Sequence, residues 1–264
     1  MDTPSRADAR RDWPTVAAAA AWSACNALQL VFTLAWTAGM ICAAMLVYLL
    51  TGDRQLPLRM ASRCWAPGLL WGAGVRFEVE GLDRVDWLRN HVFVANHASV
   101  IDICALFRAL PVPLHFLLKQ EMTRVPFVGW YAKAMGMVFI DRSNRRAATA
   151  FLKQSAELVR GGANLCIFPE GTRSRDGAMA PFKCGAFQTA IDGGADVVPV
   201  ALQGSAAVLP CDGVFRVRPG VIRVRFGTAL PMIDADGPVD RQILAAQAQR
   251  AVLELLARDG RRSH

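Results

Sequence analysis

Histidine is scarce in this chain. Only His91, His97, His115 and His264 occur among 264 residues, so a base that titrates near neutral pH must come from a short list. No His, Cys, Asp or Glu cluster has ligand spacing, which argues against a metal site. The seven cysteines (Cys25, Cys42, Cys64, Cys104, Cys166, Cys184 and Cys211) include no Cys-x-x-Cys pair. An odd, unpatterned set excludes a disulfide framework and points to a reducing compartment. Most lie in apolar runs and read as small core residues. Zinc spacing, an aromatic RNA-binding signature and a continuous basic stripe are also missing. The net charge of +8 and pI near 9.5 therefore call for anionic lipid headgroups or a phosphorylated substrate rather than nucleic acid.

Charge is missing altogether from Trp13 to Gly52. Hydrophobic residues make up 53% of the chain and the mean hydropathy is +0.25, so some apolar surface is expected to meet lipid. Leu28 to Leu50 is long enough to cross a bilayer, which takes ~20 residues. The whole apolar stretch, from about Val16, is too long for one perpendicular span. It must tilt, break near Ser23, Asn26 and Gln29, or lie partly in the interface. A secretory signal is disfavoured, since its apolar region is only ~7–15 residues. Arginines flank the stretch on both sides (Arg6, Arg10 and Arg11; Arg54, Arg59 and Arg63), so the positive-inside rule sets no orientation. Leu56 to Gly74 is a second candidate membrane element, with Arg59 and Arg63 on one helical face, interfacial Trp65 and Trp71, and a kink expected at Pro67. An amphipathic helix packed on the catalytic body fits that segment equally well.

From Val75 onward short apolar runs alternate with helical periodicity. The pattern predicts strands at Arg76–Glu80, Val92–Ala95, Leu114–Leu118, Met137–Ile140, Asn164–Phe168, Val197–Leu202 and Val221–Phe226. It predicts helices at Ile101–Ala109, Phe127–Ala134, Arg145–Val159, Lys183–Asp192 and Arg241–Ala257. The expected fold is α/β, a mixed central sheet flanked by helices, with an N-terminal hydrophobic helical membrane element. Residues 1–74 form the anchoring segment and 75–264 the catalytic domain.

Chemistry concentrates at strand exits, where α/β domains expose reactive groups. His97 follows the strand Val92–Ala95 and precedes a helix, and Asp102 stands five residues on. The turn can fold the carboxylate back onto the imidazole, an arrangement suited to taking a proton from an alcohol. Ser99 and Asp102 also have the spacing of a helix capping box. Phe168-Pro169-Glu170-Gly171-Thr172-Arg173-Ser174 follows another strand; Gly171 allows close backbone approach, Arg173 can grip phosphate bidentately, and Thr172 and Ser174 add hydroxyls. An exposed turn is the plainer reading. Asp141-Arg142 and Lys119-Gln120-Glu121 put further basic groups just past strands, and charged groups at four strand exits suggest one site.

These blocks resemble those of the glycerolipid acyltransferase family, especially its 1-acyl-sn-glycerol-3-phosphate acyltransferases. They are Asn96-His97 through Asp102; Lys119 through Pro126, Gly129 and Gly136 to Asp141-Arg142; Phe168 to Ser174, continuing to Pro181-Phe182-Lys183 and Gly185; and Val198-Pro199-Val200. They run in order over about Val75 to Gly227. Met122 stands where the family often has leucine. The resemblance implies His97 as general base with Asp102 as its partner. It implies Lys119, Arg142 and Arg173 on the acceptor phosphate and glycerol, with Glu170, Gly171 and Thr172 shaping that site. It further implies a lysophospholipid acceptor in membrane lipid, acyl-CoA or acyl-carrier protein as donor, no cofactor, no metal and no covalent acyl-enzyme. The expected reaction forms phosphatidic acid from the sn-2 hydroxyl of 1-acylglycerol-3-phosphate, at the inner (cytoplasmic) membrane with the site facing the cytoplasm. The alternative is acylation of another lysolipid, such as a lyso-ornithine lipid. A serine hydrolase would need a Gly-x-Ser-x-Gly elbow that is absent. A non-enzymatic tether would leave the His–carboxylate pair unexplained.

Overall fold

The computed structural model describes residues 16–141, 145–174, 178–212, 215–234 and 237–258. Helix α1 runs unbroken from Val16 to Thr51, 36 residues, about 54 Å at 1.5 Å per residue. The break considered near Ser23, Asn26 and Gln29 does not occur, and the Asn26 side chain is satisfied within the continuous helix. Asn26 Nδ2 donates to Trp22 O at 2.9 Å, and its Oδ1 accepts the Val217 amide at 2.6 Å. Asn26, Gln29, Thr33 and Thr37 recur at helical spacing and turn toward the body of the protein. Trp65 Nε1 donates to Thr37 Oγ1 and Trp36 Nε1 donates to Trp65 O, both at 3.1 Å. The opposite face, with Leu28, Leu34, Leu46 and Leu49, is open. By length and composition Ala20–Thr51 could cross a membrane.

Two short helices follow, α2 (Gln55–Met60) and α3 (Ala66–Gly72), joined by a π turn at Ala61–Trp65. Pro67 falls in the first turn of α3, where proline is tolerated. The distortion expected at Pro67 is taken up in the π turn before it.

The seven central strands are β1 (Val75–Glu80), β2 (Val92–Ala95), β3 (Leu114–Lys119), β4 (Val138–Ile140), β5 (Asn164–Ile167), β6 (Val197–Gln203) and β7 (Gly220–Phe226). Their order is β1-β7-β6-β2-β5-β3-β4. Five run parallel; β7 is antiparallel to β6 and carries β1 parallel to itself. The mixed sheet is thus as the alternating pattern implies, and its helices are α4 (Ile101–Ala109), α5 (Val128–Ala134), α6 (Arg145–Arg160), α7 (Gly185–Gly193) and α9 (Arg241–Leu256), with a one-turn α8 (Ser205–Val208). A two-stranded hairpin, β8 (Ile233–Asp234) and β9 (Gly237–Pro238), precedes α9. Neither α8 nor this hairpin has enough residues to show a period.

Alternation along the strands builds two cores. Phe93, Ala95 and Phe116 point into a layer shared with α3 and α4, while Val92, Val94 and Leu165 point into a second layer shared with α6, α7 and α9. Helix α9 covers the sheet through Leu244, Ala248, Val252 and Leu255. The cysteines divide differently from the expectation: Cys104 and Cys166 are buried, but Cys25, Cys42 and Cys64 are exposed. Their apolar runs belong to the open faces of α1 and the π turn. Strand β2 lies between β5 and β6, so the chain departs to opposite sides of it. This is the switch point where open α/β sheets bind ligands beyond the carboxyl ends of their strands.

Buried His115, on β3, makes a stability prediction. Burial holds its imidazole below the usual range, so it stays neutral in the fold while the unfolded chain takes a proton below about pH 6.5. Stability from this group is therefore full above that pH and is lost as pH falls, by up to about 1.4 kcal/mol per pH unit. Urea unfolding of His115→Gln between pH 5 and 8 should show a shallower acid slope than the wild type.

Candidate active site

The turn from β2 into α4 is fixed on every side. Asn96 reaches across to the neighbouring strand, where its Nδ2 donates to Leu202 O and its Oδ1 accepts the Leu202 amide, both at 2.8 Å. The His97 amide donates to Glu170 Oε1 at 2.7 Å, and the His97 carbonyl accepts the Ser174 amide at 2.8 Å. The side chain of His97 is thereby set over the exits of β2 and β5. Its Nδ1 lies 2.9 Å from Asp102 Oδ2. That same oxygen accepts the Ala98 and Ser99 amides at 2.8 Å each.

Asp102 is fully buried. As an acceptor three times over, it holds the tautomer with the proton on Nδ1 and leaves Nε2 a lone pair; Nε2 has no partner among the described residues. The capping box expected from Ser99 and Asp102 is half formed. Asp102 reaches back to the Ser99 amide, but the Ser99 hydroxyl donates to Leu209 O. Ser99 is therefore directed away from the His97 imidazole, and a serine nucleophile at that position has no geometry to support it.

Other nucleophiles near the pair are muted. Burial, with the Asp102 charge behind it, pushes the Cys104 thiol up to about 12; burial likewise raises Cys166. Neither supplies a thiolate at neutral pH. Among the described residues no group of three His, Cys, Asp or Glu side chains could hold a metal ion.

Glu170 is buried and bridges two loops. Its Oε2 accepts the Ala180 amide at 2.8 Å while Oε1 holds His97. Burial raises its carboxyl above the usual range, against the opposing pull of those two amides. Gly171 adopts φ +79°, the left-handed turn that suits glycine, and its amide closes on Phe168 O at 3.0 Å. Thr172 and Arg173 then stand exposed, and Arg173 pairs with no acidic group among the described residues. Cys211 donates its thiol to Ser174 O at 3.2 Å.

The chain matches the Acyltransferase family over residues 76–203. It is 30% identical over 194 residues to the human 1-acyl-sn-glycerol-3-phosphate acyltransferase alpha, covering 71% of this chain and 67% of that one. The chain belongs to the acyltransferase family. It is also 41% identical over 140 residues to a 1-acyl-sn-glycerol-3-phosphate acyltransferase of Chlamydomonas reinhardtii, over 53% of this chain. It spans about two fifths of the length of that algal protein and of two chloroplast relatives from Brassica napus and Arabidopsis thaliana. The fold matches the crystal structure of the LPA acyltransferase PlsC from Thermotoga maritima, with a TM-score of 0.76, 23% identity, and coverage of 90% of this chain and 98% of that one.

Within this family member, His97, Asp102, Glu170, Gly171, Thr172 and Arg173 gather at one place. Lys119 ends β3 on the same edge of the sheet, two strands from β2, or about 10 Å. It pairs with Glu121 at 2.8 Å, both exposed, and this cation holds the Glu121 carboxyl below its usual range. Lys119 is in register with Ile140 on β4. Arg142, two residues further, lies outside the described residues.

One contact was not foreseeable from the motif. The His97 and Phe168 rings stack with centroids 3.9 Å apart and an interplanar angle of 13°. Phe168 in turn stacks on Phe116 at 6.2 Å. Phe168 opens the Phe-Pro-Glu-Gly run, so the residue was in view, but its partner comes from a different loop.

Two substitutions separate orientation from packing. Asp102→Asn should keep one acceptor for the turn amides but lose the carboxylate that stabilises an imidazolium, lowering kcat by about 10²–10⁴-fold. Glu170→Gln can accept only one of its two amides, at a cost of roughly 1–3 kcal/mol for the orphaned donor, and should lower both melting temperature and kcat. Steady-state kinetics beside thermal unfolding would show the first variant folded and slow, and the second weakened in both.

Proposed function

We propose that this chain transfers a fatty acyl group from acyl-CoA or acyl-carrier protein to the sn-2 hydroxyl of 1-acylglycerol-3-phosphate, forming phosphatidic acid. The names of its relatives support the substrate class. One structural observation carries the chemistry: an oriented His–Asp pair sits beside an apolar cavity. The cavity holds about 290 Å³ and is lined by Met40, Ile41 and Ala44 of α1, by Trp65, by Val100 and Ile101 at the start of α4, and by Phe116. Its wall thus begins three residues from His97 and continues to Phe116, which backs Phe168 and the imidazole. A slot of this character suits an acyl chain whose carbonyl lies at the base.

In this reading His97 Nε2 takes the proton of the acceptor hydroxyl as its oxygen attacks the thioester carbonyl. The C–O ester bond forms, the C–S bond breaks, and the proton passes from Nε2 to the departing thiolate. Asp102 stabilises the transient imidazolium. Arg173, Thr172 and Gly171 meet the acceptor phosphate, with Lys119 on the same edge of the sheet; the resemblance adds Arg142 to this group. Residues 1–74 act as the anchoring segment. Helix α1 packs along the body from Asn26 to Tyr48, about 33 Å of its length, so we read it as lying against one leaflet with its leucine face in lipid. The site then faces the cytoplasm at the inner membrane.

The test is product analysis with purified chain, a panel of lysolipids and both thioester donors. Phosphatidic acid from 1-acylglycerol-3-phosphate is the expected product, and His97→Ala should reduce its formation by about 10²–10⁴-fold while the protein still folds. Product from lyso-ornithine lipid alone would move the acceptor, and hydrolysis of the thioester without ester product would overturn acyl transfer.

Arg173→Ala should raise KM for the lysolipid about tenfold to a hundredfold, the scale of a hydrogen bond to a charged group, with little change in KM for the donor. Arg173→Lys should recover only part, because a point charge lacks the planar fork. Comparison with an acceptor lacking phosphate decides the matter: the wild type should discriminate strongly and Arg173→Ala much less. Unchanged discrimination would shift the phosphate to Lys119 and Arg142.

A further inference from the structure

Helix α5 begins at a strained corner. Phe127 has φ +61° and ψ −59° and is the only non-glycine residue with positive φ among the described residues. The Val128 amide donates to Pro126 O at 2.7 Å, which closes the rare positive-φ form of the γ-turn. Such a conformation persists only where the surroundings impose it, and here they do. The Gly129 amide donates to Val125 O at 2.8 Å and the Tyr131 amide to Phe127 O at 2.9 Å. A Cβ on Gly129 would lie 2.6 Å from Thr123 O, so the turn before α5 rests directly on its backbone. Tyr131 Oη donates to Pro57 O at 3.1 Å, tying α5 to α2.

The corner turns apolar groups outward. Val125, Phe127 and Trp130 are 39%, 37% and 58% exposed, and the Phe127 and Trp130 rings stand 5.2 Å apart. Arg124 and Lys133 flank them, exposed and without an acidic partner among the described residues. Arg59 and Arg63 are exposed on the adjoining α2 and π turn. The other side of α5 lines the cavity through Val128, Tyr131 and Ala132, facing Ile41 and Ala44 of α1. The aromatic pair therefore sits on a helix packed against α1, with Arg124 and Lys133 exposed on either side of it in the chain. A rigid pair of this kind, amphipathic at Trp130 and collared by arginine and lysine, suits the headgroup level of an anionic bilayer.

We propose that Phe127 and Trp130 form a second membrane contact, made by the catalytic domain itself, that seats the site edge of the sheet on an anionic lipid surface. The proposal rests on the membrane reading given above and goes beyond α1, because the corner comes only eight residues after Lys119, the last residue of β3 at that edge.

The experiment uses the full chain reconstituted with phosphatidylglycerol–phosphatidylcholine vesicles. Phe127→Gly removes one ring while placing glycine where φ is positive, so the corner is eased rather than broken; Trp130→Ser removes the other ring. Turnover is measured on long-chain lysolipid held in vesicles and on a short-chain acceptor free in solution. Each variant should lose roughly tenfold on the vesicle acceptor, the scale of burying one such side chain, and nothing on the soluble one. A nitroxide at position 130, in a chain whose exposed cysteines are replaced by serine, should be broadened by oxygen far more than one at position 88, where Leu88 is 98% exposed. Equal turnover on vesicles, or a label at 130 as open to water as that at 88, would overturn the proposal. So would loss on both acceptors, which would make the corner part of the site. Loss confined to acyl-carrier protein as donor would make it a protein dock instead. If the wild type acylates neither acceptor, the functional reading fails, and the nitroxide comparison still decides the contact.

Discussion

One carboxylate oxygen organises the centre of this molecule. Asp102 Oδ2 accepts from the His97 imidazole and from the amides of Ala98 and Ser99, so the same atom orients that imidazole and begins helix α4. The other oxygen of Asp102 is buried with no hydrogen-bond partner, an arrangement that concentrates the charge on the side where the imidazole stands. A buried acceptor loaded in this way is costly to disturb, because each displaced amide would lose its partner away from water. The neighbouring strands secure the turn from either side: Glu170 from beyond β5 holds the His97 amide, and Asn96 grips β6 at Leu202. His97 is thus held through three strands at the point where the chain's path divides.

That arrangement explains which parts of the protein were legible in sequence. The strands and main helices carry their own period, so all seven central strands and the five main sheet helices fall within a residue or two of where alternation puts them. The His97–Asp102 pair was legible because both members lie in one local turn. Sequence could not choose between a capping carboxylate and a catalytic partner for Asp102, since the geometry serves both.

The rest depended on distant partners. Asn26 Oδ1 within α1 accepts the Val217 amide, far along the chain, a partner that no local pattern reveals. The stack of Phe168 on His97 joins two loops that no local pattern connects. Lys119 faces Glu121, two residues away in a short 3-10 turn too brief to show a period. Cysteines in apolar runs suggest core positions, but such a run can equally be the outer face of a helix, as at Cys25 and Cys42.

Helix α1 also bears on how such a protein is handled. Met40, Ile41 and Ala44 form part of the cavity wall. Trimming the helix would not leave the rest of the protein unchanged. It would unroof the cavity, letting solvent in behind Phe116 and exposing a hydrophobic trough to whatever detergent or neighbouring chain could fill it. A truncation that omits α1 therefore reports on a molecule whose cavity lacks one wall.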